Sequence, residues 1–236
     1  MIGGLLICFG APLVLIGQQF RQEALDVDLI QAIKKVDAPT VNRLLSEGAS
    51  ANARDMKEQR VTIRTLLTHL LARLQHKPEP VAEGRTDPAL LLLITDDRLY
   101  FGREDREVVD GIAAALVLHK ANIHVLGYRQ ETPLADAAAY GLHHTLQLLL
   151  SKGAEVNTHD DFGLTPLMGA DEYAAHLLLQ HGADVNATDA QGLSALYYAT
   201  LDSRTPGKRT ILHILKQHGA RLNKKDKQAL ARDSGT

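Results

Sequence analysis

The chain has 236 residues, of which 45% are hydrophobic and 4% aromatic, and its formal net charge is −2. This length and apolar content suffice for one sizeable core or a short array of repeats, and the lack of a basic excess argues against a nucleic-acid binder. Cys8 is the sole cysteine in the sequence, so the chain forms neither an internal disulfide nor a cysteine-based zinc site.

The N-terminal stretch "MIGGLLICFGAPLVLIG" contains no charged residue. At about 1.5 Å per residue, a helix of this length barely crosses a hydrocarbon core of about 30 Å. Three interpretations are open: a membrane anchor over residues 1–20, a cleaved signal peptide, and a hydrophobic helix packed on the following repeats. An anchor places the remaining domain in the periplasm or the cytoplasm, with the periplasm preferred, whereas cleavage makes the protein secreted.

Residues 26–126 predict two helix pairs separated by an insertion. In the first pair, residues 26–55, the apolar face contains Val41, Leu44 and Leu45, and Gly48 ends the second helix. The region 56–126 predicts an added amphipathic helix in "TIRTLLTHLLARLQ", an exposed loop in "HKPEPVAEGRTDP", and a degenerate pair in which Lys120 takes the position of Gly48.

A sequence period appears further along the chain. Thr132-Pro133-Leu134 recurs 33 residues later as Thr165-Pro166-Leu167, and more loosely after another 29 residues as Ser194-Ala195-Leu196. Threonine caps a helix start, and proline fits the first helical turn because its missing donor is not needed there. Glycines end the second helices and asparagines follow four residues later; these pairs are Gly48 and Asn52, Gly153 and Asn157, Gly182 and Asn186, Gly219 and Asn223. Since one helix pair cannot bury its own apolar face, the period predicts stacked units.

This pattern resembles the ankyrin repeat, on "DDFGLTPL" (160–167), "LLLQHGADVNATD" (177–189) and "LIQAIKKVDAPTVNRLLSEGASANARD" (29–55). The histidine that usually follows the Thr-Pro-Leu motif is Ala135, Met168 and Tyr197 in the three copies. The resemblance implies an all-α solenoid of helix–turn–helix units with β-turn or hairpin tips. It divides the chain into a hydrophobic segment 1–20, repeats at 26–55, 56–126 (degenerate), 127–159, 160–188 (shortened) and 189–226, and a tail 227–236.

Motifs that would carry chemistry are missing from the sequence: there is no H-E-x-x-H, G-x-S-x-G or G-x-x-x-x-G-K-[ST]. His119, His181 and His218 each precede a helix end, where a cation is favourable. A zinc site at His143 and His144 is a weak alternative, and the acid pairs 96–97 and 160–161 fall in predicted turns. The sequence therefore predicts a protein without enzymatic activity that needs no metal, cofactor or small-molecule substrate.

By resemblance, the tips and the concave surface of the first helices bind another protein. The variable positions there are Tyr128, Arg129, Glu131, Tyr140, Asp161, Phe162, Leu164, Ala190, Gln191 and Leu193. Phe162 is either an exposed contact residue or folded back onto the next repeat. The predicted function is a membrane-tethered, non-enzymatic adaptor or inhibitor, with a bacterial immunity protein that neutralises a toxin as one version. The alternatives are an enzyme or metal protein that uses the insertion at 56–100, and a membrane-surface scaffold without a specific partner.

Overall fold

The computed structural model describes residues 5–54, 88–94, 103–201 and 206–233, with side chains over 18–54, 88–93, 106–201 and 210–232. The predicted added helix, the loop at 76–87 and the acid pair 96–97 lie outside these residues, and so does most of the insertion proposed as an alternative site. The helices are α1 (Leu5–Lys34), α2 (Ala38–Glu47), α3 (Ala89–Ile94), α4 (Arg103–Leu118), α5 (Pro133–Tyr140), α6 (His143–Ser151), α7 (Pro166–Gly169), α8 (Glu172–Gln180), α9 (Ala195–Leu201), α10 (Pro206–Gln217) and α11 (Lys224–Asp233).

These helices form two layers of an all-α solenoid. The first helices of the pairs, α1, α3, α5, α7 and α9, pack side by side in one layer. The second helices, α2, α4, α6, α8 and α10, form the other layer, and α11 closes the end against α9. Leucines at the repeating positions, such as Leu44, Leu116 and Leu146, are almost completely buried between the layers. Each pair therefore depends on its neighbours to bury its apolar face.

Side chains just before the helices determine where several of them begin. Thr132 Oγ1 accepts a hydrogen bond from Ala135 N (3.2 Å) at the start of α5. Asp171 Oδ1 accepts one from Ala174 N (2.8 Å) at the start of α8. Because Asp171 follows α7 so closely, α7 has only four residues. This accounts for the short spacing of the repeat at 160–188.

Asparagines join neighbouring repeats and set their register. Asn157 Nδ2 donates to Gly182 O (3.0 Å) in the turn of the next repeat. Asn52 forms the corresponding bonds across the insertion: its Nδ2 donates to Lys120 O (3.0 Å) and its Oδ1 accepts from Asn122 N (2.5 Å). The first pair therefore stacks directly on the pair that ends at Lys120, although 68 residues separate Asn52 from Lys120.

Lys120 occupies a backbone conformation that the other repeats give to glycine. Its φ is 67°, compared with 103° at Gly48, 84° at Gly153 and 86° at Gly182. A left-handed residue other than glycine costs about 1 kcal/mol, and the Lys120 side chain is exposed.

We therefore expect Lys120→Gly to raise the free energy of unfolding by about 0.5–1 kcal/mol, measured by urea denaturation. Lys152→Gly is the matched control, because Lys152 is also an exposed lysine at a helix end but has a φ of −90°. The control should lower stability by a similar amount. If both variants are destabilised equally, the left-handed backbone at Lys120 carries no strain.

The N-terminal helix is longer than the sequence predicts. α1 runs without interruption from the apolar stretch into the first repeat, so the boundary expected at residue 20 falls inside it. Its exposed Phe20 and Val27 lie among polar residues such as Arg21 and Asp28. None of the described helices combines the length and hydropathy that a membrane span requires, so the predicted transmembrane helix is not supported.

Candidate protein-binding surface

Three tight turns connect the repeats and project from one edge of the first-helix layer. Each turn is closed by a hydrogen bond between a backbone N–H and the carbonyl four residues later. These bonds join Gly127 N to Glu131 O (2.8 Å), Asp160 N to Leu164 O (3.1 Å) and Asp189 N to Leu193 O (2.9 Å). In the described ranges, the extended contacts are isolated bridges, of which the one between Thr188 and Ser194 flanks the third tip.

An aspartate shapes each of the last two tips from within. Asp160 Oδ1 accepts hydrogen bonds from Phe162 N (2.9 Å) and Leu164 N (2.8 Å). Asp189 Oδ1 accepts the equivalent bonds from Gln191 N (2.8 Å) and Leu193 N (2.9 Å). Such local bonds satisfy backbone donors that a turn leaves unpaired, so the tips have a defined shape before any partner binds.

In the first tip, the side chain that bonds to the turn belongs to its last residue, Glu131, instead of its first. Glu131 Oε2 accepts from Arg129 N (2.6 Å), and Glu131 Oε1 accepts from Tyr128 N (3.1 Å). The carboxylate of Glu131 therefore folds onto its own turn. Glu131, which the sequence places on the binding surface, therefore also fixes the backbone of Tyr128 and Arg129.

Backbone hydrogen bonds also stack the tips on each other. Asp161 N donates to Arg129 O (2.8 Å), and Ala190 N donates to Phe162 O (2.9 Å). Gly163 makes this approach possible: it has a φ of 76°, and a Cβ there would lie 2.5 Å from Ala190 N. The three tips therefore form one continuous edge.

Six of the ten predicted site residues are exposed on this edge, and together we call them the tip surface. They are Tyr128, Arg129, Asp161, Phe162, Ala190 and Gln191. Tyr128 is 75% exposed and Phe162 is 52% exposed. The guanidinium carbon of Arg129 lies 5.8 Å from the centre of the Phe162 ring, within cation–π range. Phe162 is thus an exposed residue of its tip, with Arg129 of the preceding tip over its ring.

The remaining predicted site residues have positions inside the repeats. Leu193 is buried, whereas Tyr140 and Leu164 are partly buried and pack against the core. Tyr198, which also lies partly buried, donates its hydroxyl to Asp189 Oδ2 (2.5 Å). Burial and this bond to Asp189 raise the pKa of Tyr198. These side chains hold the tips in place from below.

Asp136 is a residue of this region that the sequence does not single out. It lies in the first turn of α5, and its Oδ2 is buried without a hydrogen-bond partner. Burial, together with the negative charges of Glu131 and Asp160, raises the pKa of Asp136 to about 7, while Arg129 acts in the opposite direction. The one signal in the sequence is an aspartate within an otherwise apolar helix, "TPLADAAAY".

The two histidines proposed as a weak zinc site interact with different parts of the structure. His143 Nε2 lies 2.6 Å from Asp171 Oδ2, and its ring lies against Tyr173 with centres 4.4 Å apart. His144 is exposed, and its backbone N–H donates to Asp110 Oδ2 (2.9 Å). Where the structure describes the chain, no three His, Cys, Asp or Glu side chains converge as a metal site.

Comparison with known proteins points to one kind of repeat. A family model for ankyrin repeats in three copies matches residues 108–189 and 134–226, which together span half of the chain and include all three tips. A protein of fowlpox virus (strain NVSL) that is named for ankyrin repeats, FPV230, is 28% identical over 145 residues. This alignment covers 61% of the present chain and 73% of the viral protein.

Proposed function

Since the chain belongs to the ankyrin repeat family, whose members are protein–protein interaction modules, we propose that it acts as a non-enzymatic adaptor or inhibitor. The partner protein binds to the tip surface and to the neighbouring face of the first helices. The observation that carries this proposal is the exposure of Tyr128 and Phe162, with the guanidinium of Arg129 over the Phe162 ring. Tyrosine and arginine are among the residues that most often dominate the binding energy of protein interfaces.

The rigidity of the tips supports the same proposal. Side-chain bonds from Glu131, Asp160 and Asp189 fix each turn, and backbone bonds join adjacent turns. A surface that is ordered before binding loses less conformational entropy when a partner docks. The tip surface is therefore suited to recognition by a largely unchanged backbone.

We expect the double variant Tyr128→Ala/Phe162→Ala to weaken partner binding by about 30-fold or more, because each ring is a large exposed contact. The partner is first captured from the native host with the full chain and identified by mass spectrometry, and its Kd is then measured against each variant.

Val108→Ala/Leu118→Ala is the matched control, because these residues are exposed apolar side chains of α4 in the second layer, 39% and 58% exposed. Equal affinities for the wild type and the tip variant, or equal losses in both variants, would contradict the proposal.

Two narrower versions have their own tests. An immunity protein would restore growth to cells that express its toxin, and the tip variant would fail to do so.

Tethering at a membrane through residues 1–20 is not needed for the tip surface to bind, and it is measured separately by fractionating cells that express the chain with and without these residues. Identical sedimentation of the two forms would show that residues 1–20 do not tether the protein to a membrane.

A further inference from the structure

The three tips that carry the tip surface contain more negative than positive side chains. The three tips, residues 127–131, 160–164 and 189–193, contain four carboxylates and one cation. The carboxylates are Glu131, Asp160, Asp161 and Asp189, and the cation is Arg129. Asp161 is exposed beside Phe162, and it contributes to the stacked tips through its backbone N–H, which any residue other than proline supplies.

Two of these acidic side chains are held in place by backbone donors. Glu131 is held by the N–H groups of Tyr128 and Arg129, and Asp160 by those of Phe162 and Leu164. The field of these carboxylates is thus a fixed property of the tips, present before any partner arrives.

Burial is the main reason that the pKa of Asp136 is raised, and the negative charges of the tips add to it. Its Oδ2 has no hydrogen-bond partner, and both Glu131 and Asp160 act against its ionised form. Arg129 opposes them, but it does not balance them. A further cation placed beside Asp160 and Asp161 would be attracted by their charge, whereas a phosphate or an acidic segment would be repelled.

We propose that the segment of the partner that crosses the tip surface is basic, with an arginine or lysine facing Asp160 and Asp161. Its hydrocarbon stem lies against the exposed rings of Phe162 and Tyr128, where a cation also gains from the aromatic face. This inference rests on the proposed function, since it specifies the chemistry of the partner for the same surface.

The test uses the full chain and two labelled peptides, one of alternating arginine and leucine and one in which glutamate replaces arginine. Fluorescence anisotropy should show binding of the arginine peptide that weakens as salt is raised, and no binding of the glutamate peptide. Asp161→Asn should weaken binding of the arginine peptide by about threefold to tenfold. Glu172→Gln, which removes the same charge from an exposed position on α8, should leave the affinity unchanged.

Failure to bind the arginine peptide, equal binding of both peptides, or equal weakening in both variants would overturn the inference. The identified partner separates this outcome from failure of the proposed function. If Tyr128→Ala/Phe162→Ala releases that partner while Asp161→Lys retains it, the tip surface is the interface, but the partner segment that crosses it is not basic. If the aromatic variant retains the partner, the interaction surface itself is wrong.

Discussion

Asp136→Asn is expected to stabilise the protein above pH 7 by about 3 kcal/mol, an unusual result for a substitution that removes a charge. Folding raises the pKa of Asp136 from 3.8 to about 7, chiefly through burial. Between these two values the folded state holds a proton that the unfolded state has released. The stability that this carboxyl contributes is therefore complete below pH 3.8 and is lost progressively as the pH rises through about 7.

Asparagine has the size of the protonated acid and no charge to lose, so the gain from Asp136→Asn should vanish near pH 4 and increase up to about pH 8. Urea denaturation of both proteins across this range measures the difference directly. Glu172→Gln is the control, because it neutralises an exposed acid on α8. Parallel stability curves for wild type and Asp136→Asn would show that Asp136 is ionised without cost in the folded protein.

Asp226→Ala is expected to lower the free energy of unfolding by about 3 kcal/mol or more. The Asp226 side chain is completely buried, and it accepts hydrogen bonds from Ser194 N (2.9 Å), Ser194 Oγ (2.8 Å) and Asn223 N (2.9 Å). Removal of the carboxylate leaves two buried donors of Ser194 without an acceptor. Each unsatisfied donor costs about 1–3 kcal/mol.

In a chain of this size, that loss corresponds to a decrease in Tm of about 6–12 °C, measurable by calorimetry. Lys227→Ala is the control, because it shortens an exposed side chain on the same helix α11. Hydrogen exchange should localise the effect to α9 and α11, since repeats respond mainly through their nearest neighbours. A change in Tm no larger than that of the control would exclude Asp226 as the residue that attaches the terminal helix.

Features that depend on local chemistry could be predicted from the sequence. The capping role of Thr132 and the left-handed glycines at helix ends arise within a few residues, so the repeating motif contains the information needed for them. The period further predicts the stacking, because no single pair can bury its apolar face. The all-α solenoid and the ankyrin resemblance are accordingly confirmed.

Features that depend on the neighbouring repeat were harder to predict. Asp160, Asp189 and Asp226 each follow an asparagine by three residues, and each accepts a bond within its own turn. Asp226 differs because it also bonds to Ser194 of the preceding repeat. Asp136 looks like a solvated helix residue until the packing around α5 is known. The sequence also places Glu131 and Leu193 on the binding surface because their positions vary in the family, but one bonds its own turn and the other is buried.

The N-terminal stretch illustrates a different limit. Its run of uncharged residues leaves an anchor, a signal peptide and a packed helix open, and the structure continues the same helix through Gln18, Gln19 and Arg21 into the first repeat. The length of an apolar run does not show where a helix ends, because polar residues that follow can continue the same helix. Here the helix continues well past the apolar run, so the boundary that the sequence places at residue 20 lies inside α1.

The bonds of Ala53 and Arg54 have a consequence for how this chain tolerates changes in length. Ala89 N donates to Ala53 O (2.9 Å), and Arg54 pairs with Pro88, so the two described segments on either side of residues 55–87 meet at one point. The entropy of closing a flexible loop grows only logarithmically, by about 0.6 kcal/mol per doubling of its length. Because the residues that flank this segment already lie side by side, its length is not fixed by a distance that it has to span.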